Sequence, residues 1–192
     1  IPSGCATIYD ALWEEIYPHL GRQAALPPDP AAQAALAQTM AAQTLLTVQG
    51  AADSPTAARV QNRTYVMADN PMGIRKIRFA FEGRSGTLFY ENATGEHALG
   101  FGFGAQHRQR FPETNYYGPR IGTPYGDGYL CHTSAGWALP DSLLIVCYAT
   151  DAYLGTLKMN FVFDGPTLTV LMDKNAEWFF DKYVGFASGA WA

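Results

Sequence analysis

Residues 154–173 carry the pattern that most constrains the fold of this chain. Apolar and polar side chains alternate over residues 154–163 and again over residues 167–173, and the pair Asp164-Gly165 joins the two runs. Alternation with a period of two places one set of side chains on each face of a strand, and Asp-Gly favours a tight reversal between antiparallel strands. This segment is therefore predicted to be a β-hairpin.

The same alternation recurs upstream and predicts an antiparallel sheet. Turn residues separate almost all of the segments by two to five residues, so neighbouring strands should pair in sequence order. The chain is thus predicted to be mainly β, with an antiparallel up-and-down barrel of about eight strands. These strands are expected near residues 63–68, 74–82, 87–92, 96–104, 128–138, 142–150, 154–163 and 167–173.

One face of the predicted strands is almost wholly apolar and aromatic. A barrel of eight strands encloses a space that side chains fill or that holds one small ligand, and both alternatives stay open. The side chains expected to line this space are Ile77, Phe79, Phe81, Leu88, Tyr90, Leu157, Met159, Phe161, Phe163, Leu168, Val170 and Met172.

Two helices are predicted before the sheet. Residues 7–20 show amphipathic spacing, and residues 31–46 are rich in Ala and Gln, which favour helix. Asp29 followed by Pro30 is typical of a helix N-cap and first helical residue. We therefore expect a helical segment with linker over residues 1–50 and a barrel domain over residues 51–192.

Composition excludes several partners. The 192 residues carry a net charge of −4, and the 13 Lys and Arg are scattered, which argues against a nucleic-acid surface. No apolar run approaches the roughly 20 residues that span a bilayer, so no membrane partner is expected, and no signal peptide is recognisable. A chain that starts at Ile1 is expected to be a processed product or a fragment.

No motif in the chain predicts catalysis. There is no Gly-x-Ser-x-Gly or Ser-x-x-Lys nucleophile motif. Cys5, Cys131 and Cys147 lack metal-ligand spacing and are expected to be reduced thiols, and no histidine pair has the spacing of a helical metal face. We therefore predict no catalytic residue, no metal and no cofactor. A barrel hydrolase or isomerase that uses His132 is the remaining enzyme alternative.

The long segment 105–127 is the leading candidate for ligand contact, because a long aromatic and cationic loop in a compact sheet protein is often functional. The alternative is that its aromatic side chains only plug the end of the barrel. The predicted ligand-binding residues, from this loop and the next strand, are Arg110, Tyr116, Tyr117, Arg120, His132 and Trp137.

Several segments, by their order along the chain, carry a resemblance to a known family. The chain resembles the non-catalytic C-terminal region of bacterial serine hydrolases related to class C β-lactamases and penicillin-binding proteins. The segments are Leu12-Trp-Glu-Glu-Ile-Tyr-Pro-His-Leu20, Leu26-Pro-Pro-Asp-Pro30, Ala58-Arg-Val-Gln-Asn-Arg-Thr-Tyr65, Asn70-Pro-Met-Gly-Ile74 and Phe161-Val-Phe-Asp-Gly165.

The resemblance implies a lipocalin-like barrel that accompanies a hydrolase and shapes substrate access or domain packing. The catalytic domain with its Ser-x-x-Lys motif is absent from this sequence, so no catalytic residue is carried over. The first helix is then expected to dock to a hydrolase domain or to a second copy, and the bacterial cytoplasm is the expected location, with a secreted form as the alternative. The alternative function is a carrier that binds a small apolar ligand inside the barrel.

Overall fold

A computed structural model of the chain describes residues 9–21, 27–113, 129–150, 154–175 and 183–191. The chain forms two compact units, Ile1–Leu46 and Thr47–Ala192. The expected domain boundary after residue 50 stays a prediction.

The first unit is helical. Leu12–Ile16 forms a π-helical turn, Tyr17–His19 forms a 3-10 turn, and helix α1 spans Pro30–Ala42. Asp29 caps α1 as expected, since its side chain accepts a hydrogen bond of 2.9 Å from the backbone N–H of Ala32. None of the described helices has the length and apolar composition needed to cross a bilayer.

The apolar side chains of the first helical segment are exposed to solvent. Trp13 is 56% exposed and Leu20 is 64% exposed. These side chains are the ones that the sequence assigns to docking, and association through this segment stays a prediction.

The second unit contains one short helix and a sheet. Helix α2 spans Pro55–Val60 and starts at an N-cap serine, Ser54. The described residues of this second unit form ten strands. They are β1 (Thr64–Met67), β2 (Lys76–Glu82), β3 (Ser85–Asn92), β4 (Gly95–Phe103), β5 (His107–Arg110), β6 (Leu130–Leu139), β7 (Ser142–Thr150), β8 (Leu154–Asp164), β9 (Thr167–Lys174) and β10 (Gly185–Ala190).

The mainly β barrel fold predicted from the sequence is confirmed, with more strands than expected. The predicted hairpin is β8–β9, in which Asp164 pairs with Thr167, so the two-residue loop is Gly165-Pro166 rather than Asp164-Gly165. Gly165 has a φ of 53°, a left-handed conformation that glycine adopts without strain. Strands β5 and β10 were not predicted.

The barrel closes as a ring of nine strands in the order β4-β3-β2-β1-β10-β9-β8-β7-β6. Neighbours in this order pair in antiparallel fashion, whereas β6 meets β4 in parallel through Gly102 with Ser134 and Phe103 with Ala135. Strand β5 pairs with the first four residues of β6, on the same edge. The β4–β6 contact is therefore the closing seam of the ring.

The side chain of Gln109 strengthens this seam. Its Nε2 donates hydrogen bonds to the carbonyl oxygen of Gly100, at 2.6 Å, and to Thr133 Oγ1, at 3.3 Å. Its Oε1 accepts from the backbone N–H of Gly100, at 3.0 Å. An amide side chain on β5 thus substitutes for backbone pairing with β4.

Gly102 lies in the seam at a point of close backbone approach. A Cβ atom there would lie 2.6 Å from the carbonyl oxygen of Ala105, which is shorter than van der Waals contact. We expect Gly102→Ala to lower the free energy of unfolding by about 1–3 kcal/mol, because the backbone must shift to admit the methyl group. Urea denaturation measures this loss. Ala98→Ser, at an exposed position of the same strand, is the matched control and should leave the midpoint almost unchanged; equal midpoints for both variants would contradict the expectation.

Aromatic side chains fill one end of the barrel, called here the aromatic end. The ring centroid of Phe79 lies 5.0 Å from that of Phe161 and 5.5 Å from that of Phe163, both edge-on. Trp137 packs on Phe163, at 5.8 Å, and on Phe81, at 5.9 Å. The expected inward face of the strands is confirmed, since all of these rings belong to or pack against the core.

Candidate functional site

A small apolar cavity lies at the other end of the barrel. The cavity has a volume of about 10 Å³, which is room for about one water molecule. Together with its opening to solvent, the space not occupied by atoms is about 250 Å³. The lining residues are Ile74, Leu88, Tyr90, Leu99, Phe111, Leu157, Met159, Met172 and Tyr183.

The strand pattern explains why these side chains meet. Burial alternates strictly along β3, so that Leu88, Tyr90 and Asn92 all point into the barrel near its carboxyl end. Strand β9 runs toward the same end and contributes Met172. The cavity end is therefore formed where β3 and β9 end and where β4 and β8 begin.

A buried carboxylate stands beside this cavity. Glu113, three residues after β5, is only 5% exposed. Its Oε1 accepts a hydrogen bond of 2.7 Å from the Tyr90 hydroxyl and another from the Tyr183 hydroxyl, and its Oε2 accepts one of 3.1 Å from Asn92 Nδ2. These four residues are called the Glu113 cluster below. Tyr90 and Tyr183 also line the cavity, through apolar atoms only, so the cluster lies beside the cavity without presenting polar surface to it.

Asn92 holds the cluster to the β3–β4 turn. Its Nδ2 donates to Tyr183 as well as to Glu113, at 3.1 Å each. Its Oδ1 accepts from the backbone N–H of Thr94, at 2.8 Å, and from the Thr94 hydroxyl, at 2.6 Å. One side chain thus joins a tight turn to the buried carboxylate, which fixes the position of both.

His97 lies at the outer margin of the cluster. Its Nε2 is 2.9 Å from Thr94 Oγ1 and 3.2 Å from Asn92 Oδ1. The same nitrogen lies 4.0 Å from Glu113 Oε2, which makes an ion pair when the imidazole is protonated.

Burial raises the pKa of Tyr90 well above its ordinary value, and the neighbouring Tyr183 and the Glu113 carboxylate raise it further. The pKa of Tyr183 is raised too, first by burial and then by Glu113. Both phenols therefore stay protonated at neutral pH and act as hydrogen-bond donors to Glu113.

The structure describes three of the six residues that the sequence assigned to ligand binding. Trp137 is buried at the aromatic end and does not line the cavity. Arg110 is exposed on β5 and His132 is half-buried on β6. Tyr116, Tyr117 and Arg120 lie outside the described residues. The binding role of these six residues stays a prediction.

His132 faces away from the barrel interior. It pairs in register with Arg108 on β5 and with Tyr148 on β7, while its neighbours Cys131 and Thr133 point inward. Partial burial lowers the pKa of the imidazole, and the positive charge of Arg108 lowers it further. This position gives His132 no access to the apolar cavity.

Cys131 and Cys147 are buried free thiols on adjacent strands. The hydrogen bond between the two thiols raises the pKa of Cys147, and burial raises it further, so that this thiol is protonated at neutral pH. Cys5 lies outside the described residues. Across the described ranges, no three His, Cys, Asp or Glu side chains are grouped so that they could hold a metal ion.

Comparisons with known proteins give similarity in fold only. No protein-family model matches the sequence, and no curated protein matches it. Similar solved structures include apo lipid binding protein 8 of Caenorhabditis elegans, with 6% identity over 72% of this chain and 99% of that chain and a TM-score of 0.49. The fatty-acid-binding protein of Manduca sexta has 9% identity over 68% of this chain and 96% of that chain, with a TM-score of 0.41. The fatty-acid-binding protein of Schistosoma mansoni, in complex with arachidonic acid, has 12% identity over 67% of this chain and 93% of that chain, with a TM-score of 0.43.

The resemblance to serine hydrolase domains is wrong. The similar solved structures named above are fatty-acid-binding and lipid-binding proteins, and the comparisons give no evidence of a relationship to a serine hydrolase or a β-lactamase. The segments that suggested the resemblance are helical turns, a proline-rich stretch, a loop turn and parts of strands, which recur in unrelated folds. The expected hydrolase partner and the bacterial source lose their support with it.

Sequence reasoning missed the Glu113 cluster. The sequence predicts Tyr90 among the apolar side chains of the interior and Asn92 as the last residue of the strand near residues 87–92. Glu113 and Tyr183 stand in segments without periodicity, and Glu113 meets Asn92 from 21 positions away. The sequence offered one signal. A single acidic residue, Glu113, directly follows Phe111-Pro112, and strand β3 places the hydroxyl of Tyr90 inside the barrel.

Proposed function

We propose that the barrel binds one small apolar ligand at its cavity end and acts as a carrier. The observation that carries this proposal is the apolar cavity between Leu88, Leu157 and Met159, with the buried Glu113 cluster beside it. Pockets for small molecules are commonly lined by apolar and aromatic side chains in this way.

Binding requires the cavity to widen. Pockets for small molecules usually enclose about 300–1,000 Å³, and the space here is about 250 Å³ with its opening included. Met159 and Met172 supply the adaptable part of the lining, because an unbranched thioether side chain changes rotamer easily. The aromatic end, with its interlocked rings, stays unchanged while the cavity end adapts.

The test is saturable binding of an uncharged apolar probe, N-phenylnaphthylamine, followed by its fluorescence. The proposal expects one site per chain and competition by decanol. No saturable signal from the unchanged protein would contradict it.

Met172→Trp is expected to reduce probe affinity at least about tenfold, because the larger side chain occupies the cavity. Leu171→Trp is the matched control: Leu171 is the next residue on the same strand, is 55% exposed and faces away from the cavity. This control should bind the probe as the unchanged protein does. Equal affinity of the two variants would place the probe elsewhere on the molecule.

A further inference from the structure

We infer that the aromatic end of the barrel carries a second binding site, which takes a small oxyanion, a phosphate or a carboxylate, between Arg59, Arg63 and the hydroxyl of Tyr65. This site lies at the opposite end of the barrel from the apolar cavity, and it does not depend on the proposed carrier function. It accounts for a buried hydrogen-bond donor to which the described part of the barrel offers no acceptor.

The buried donor is the hydroxyl of Tyr65. This side chain points inward from β1 and is fully buried. Its ring centroid lies 6.1 Å from that of Phe163 and 5.0 Å from that of Trp191, which places it at the aromatic end. The hydroxyl has no hydrogen-bond partner among the described residues. Because an unpaired buried hydroxyl destabilises the folded state, its presence calls for an acceptor from outside these residues.

Two arginines stand at this end of the barrel. Arg59 belongs to the last turn of α2, Arg63 directly precedes β1, and both are exposed. The guanidinium carbon of Arg63 lies 5.6 Å from the centroid of the Trp191 ring, the ring that also contacts Tyr65. Nη2 of Arg59 donates a hydrogen bond of 3.2 Å to Thr56 Oγ1. Neither arginine forms an ion pair with a carboxylate of the described residues, so both positive charges are available to a ligand.

Both guanidinium groups act on the Tyr65 hydroxyl. Burial raises the pKa of Tyr65, and the positive charges of Arg59 and Arg63 oppose this rise. The two cations therefore lie within electrostatic reach of the phenol, which stays protonated at neutral pH and keeps its proton for donation. A neutral donor beside two positive charges is an environment that favours an anionic acceptor.

An oxyanion has the chemistry that these groups require. Carboxylate oxygens only accept hydrogen bonds, and a guanidinium group binds a carboxylate or a phosphate through two parallel charge-assisted hydrogen bonds. The phenol of Tyr65 supplies a further donor from inside the barrel. Because this hydroxyl is buried, a ligand reaches it only when exposed side chains around it change rotamer, and arginine side chains have many rotamers.

The first test titrates the unchanged protein with inorganic phosphate and, separately, with acetate, by isothermal titration calorimetry at neutral pH and constant ionic strength. The two probes distinguish the two classes of oxyanion. We expect saturable binding of at least one of them, with one site per chain. Absence of saturable binding for both would overturn the inference and leave the proposed carrier function standing. Displacement of N-phenylnaphthylamine by the anion would place the anion at the cavity end and would also overturn it.

The second test assigns the binding to these residues. We expect Arg63→Gln to weaken the affinity for the anion at least about tenfold, and Tyr65→Phe at least about fivefold. The matched control is Arg75→Gln, which removes the same charge from an exposed position next to Ile74, at the cavity end. Its affinity should stay within about twofold of the unchanged protein. Equal losses for Arg63→Gln and Arg75→Gln would mean that net charge alone attracts the anion, and would overturn the inference.

The third test separates a binding role from a structural one. Tyr65→Phe removes the unpaired hydroxyl and keeps the ring, so the urea midpoint of the ligand-free variant should equal or exceed that of the unchanged protein. The rise of the midpoint that the anion causes in the unchanged protein should be smaller in the variant. A lower midpoint without the anion would show that the hydroxyl already has a partner in the free protein, and would overturn the inference. Because the first test uses the unchanged protein, the inference can be refuted even if a variant does not fold.

Discussion

Replacing Phe79 with alanine is expected to lower the free energy of unfolding by about 3–5 kcal/mol. Phe79 is fully buried on β2, and its ring lies edge-on to Phe161 and Phe163 and stacks on Phe81 at 5.9 Å. Truncation removes these contacts and leaves a void that the interlocked rings cannot fill. Since whole domains are stable by only about 5–15 kcal/mol, guanidinium denaturation should show a large shift of the midpoint.

The folded fraction of Phe79→Ala should nevertheless bind N-phenylnaphthylamine within about threefold of the unchanged protein, because Phe79 does not line the cavity. Val162→Ala is the control for stability, since Val162 is 40% exposed and its truncation should cost less than about 1 kcal/mol. Loss of binding by folded Phe79→Ala would show that the two ends of the barrel are not independent.

High pH is expected to destabilise the barrel steeply. The pKa of Tyr90 and of Tyr183 lies above the ordinary 10.0 in the folded state, so the two states bind equal numbers of phenol protons below pH 10. Above it, the unfolded chain releases protons that the folded chain retains. The free energy of unfolding should then fall by about 1.4 kcal/mol per pH unit for each tyrosine, or about 2.8 kcal/mol for the pair. Urea denaturation at a series of pH values measures the slope.

Tyr90→Phe isolates the contribution of one tyrosine to the loss of unfolding free energy at high pH. The variant lacks the Tyr90 proton, so its slope above pH 10 should be shallower by about 1.4 kcal/mol per pH unit. Tyr65, whose pKa is raised mainly by burial, adds to the slope of both proteins and cancels in the comparison. Parallel slopes for the two proteins would contradict the assignment of a raised pKa to Tyr90.

The strands that alternate cleanly could be predicted from the sequence. The range predicted for β7, residues 142–150, is the one observed, and those predicted for β8 and β9 end within one residue of the structure. Their apolar and polar side chains lie on opposite faces, and this division appears in the sequence as alternation with a period of two. The two missed strands lack this alternation. Strand β5 is His-Arg-Gln-Arg, without an apolar face, and β10 consists mostly of small residues.

The candidate site was largely beyond local sequence reasoning. The predicted inward side of β3 was right, and the segment 105–127 does contribute Phe111 to the cavity lining. The contact between Glu113 and Tyr183, however, joins positions 70 residues apart. No periodicity connects such positions, so only the closed barrel reveals that an acid, an amide and two phenols meet.

The position of β10 between β1 and β9 has a consequence for synthesis of the protein on the ribosome. The earliest strand of the barrel, β1, finds its second neighbour only after residues 185–190 have been made, and Val66 pairs with Ala190. Until then β1 to β9 form an open sheet with unpaired edges, a form that is prone to pairing with other chains. Such long-range closure also slows folding. Synthesis of residues 185–190, rather than assembly of the first hairpins, is therefore the step that removes these unpaired edges.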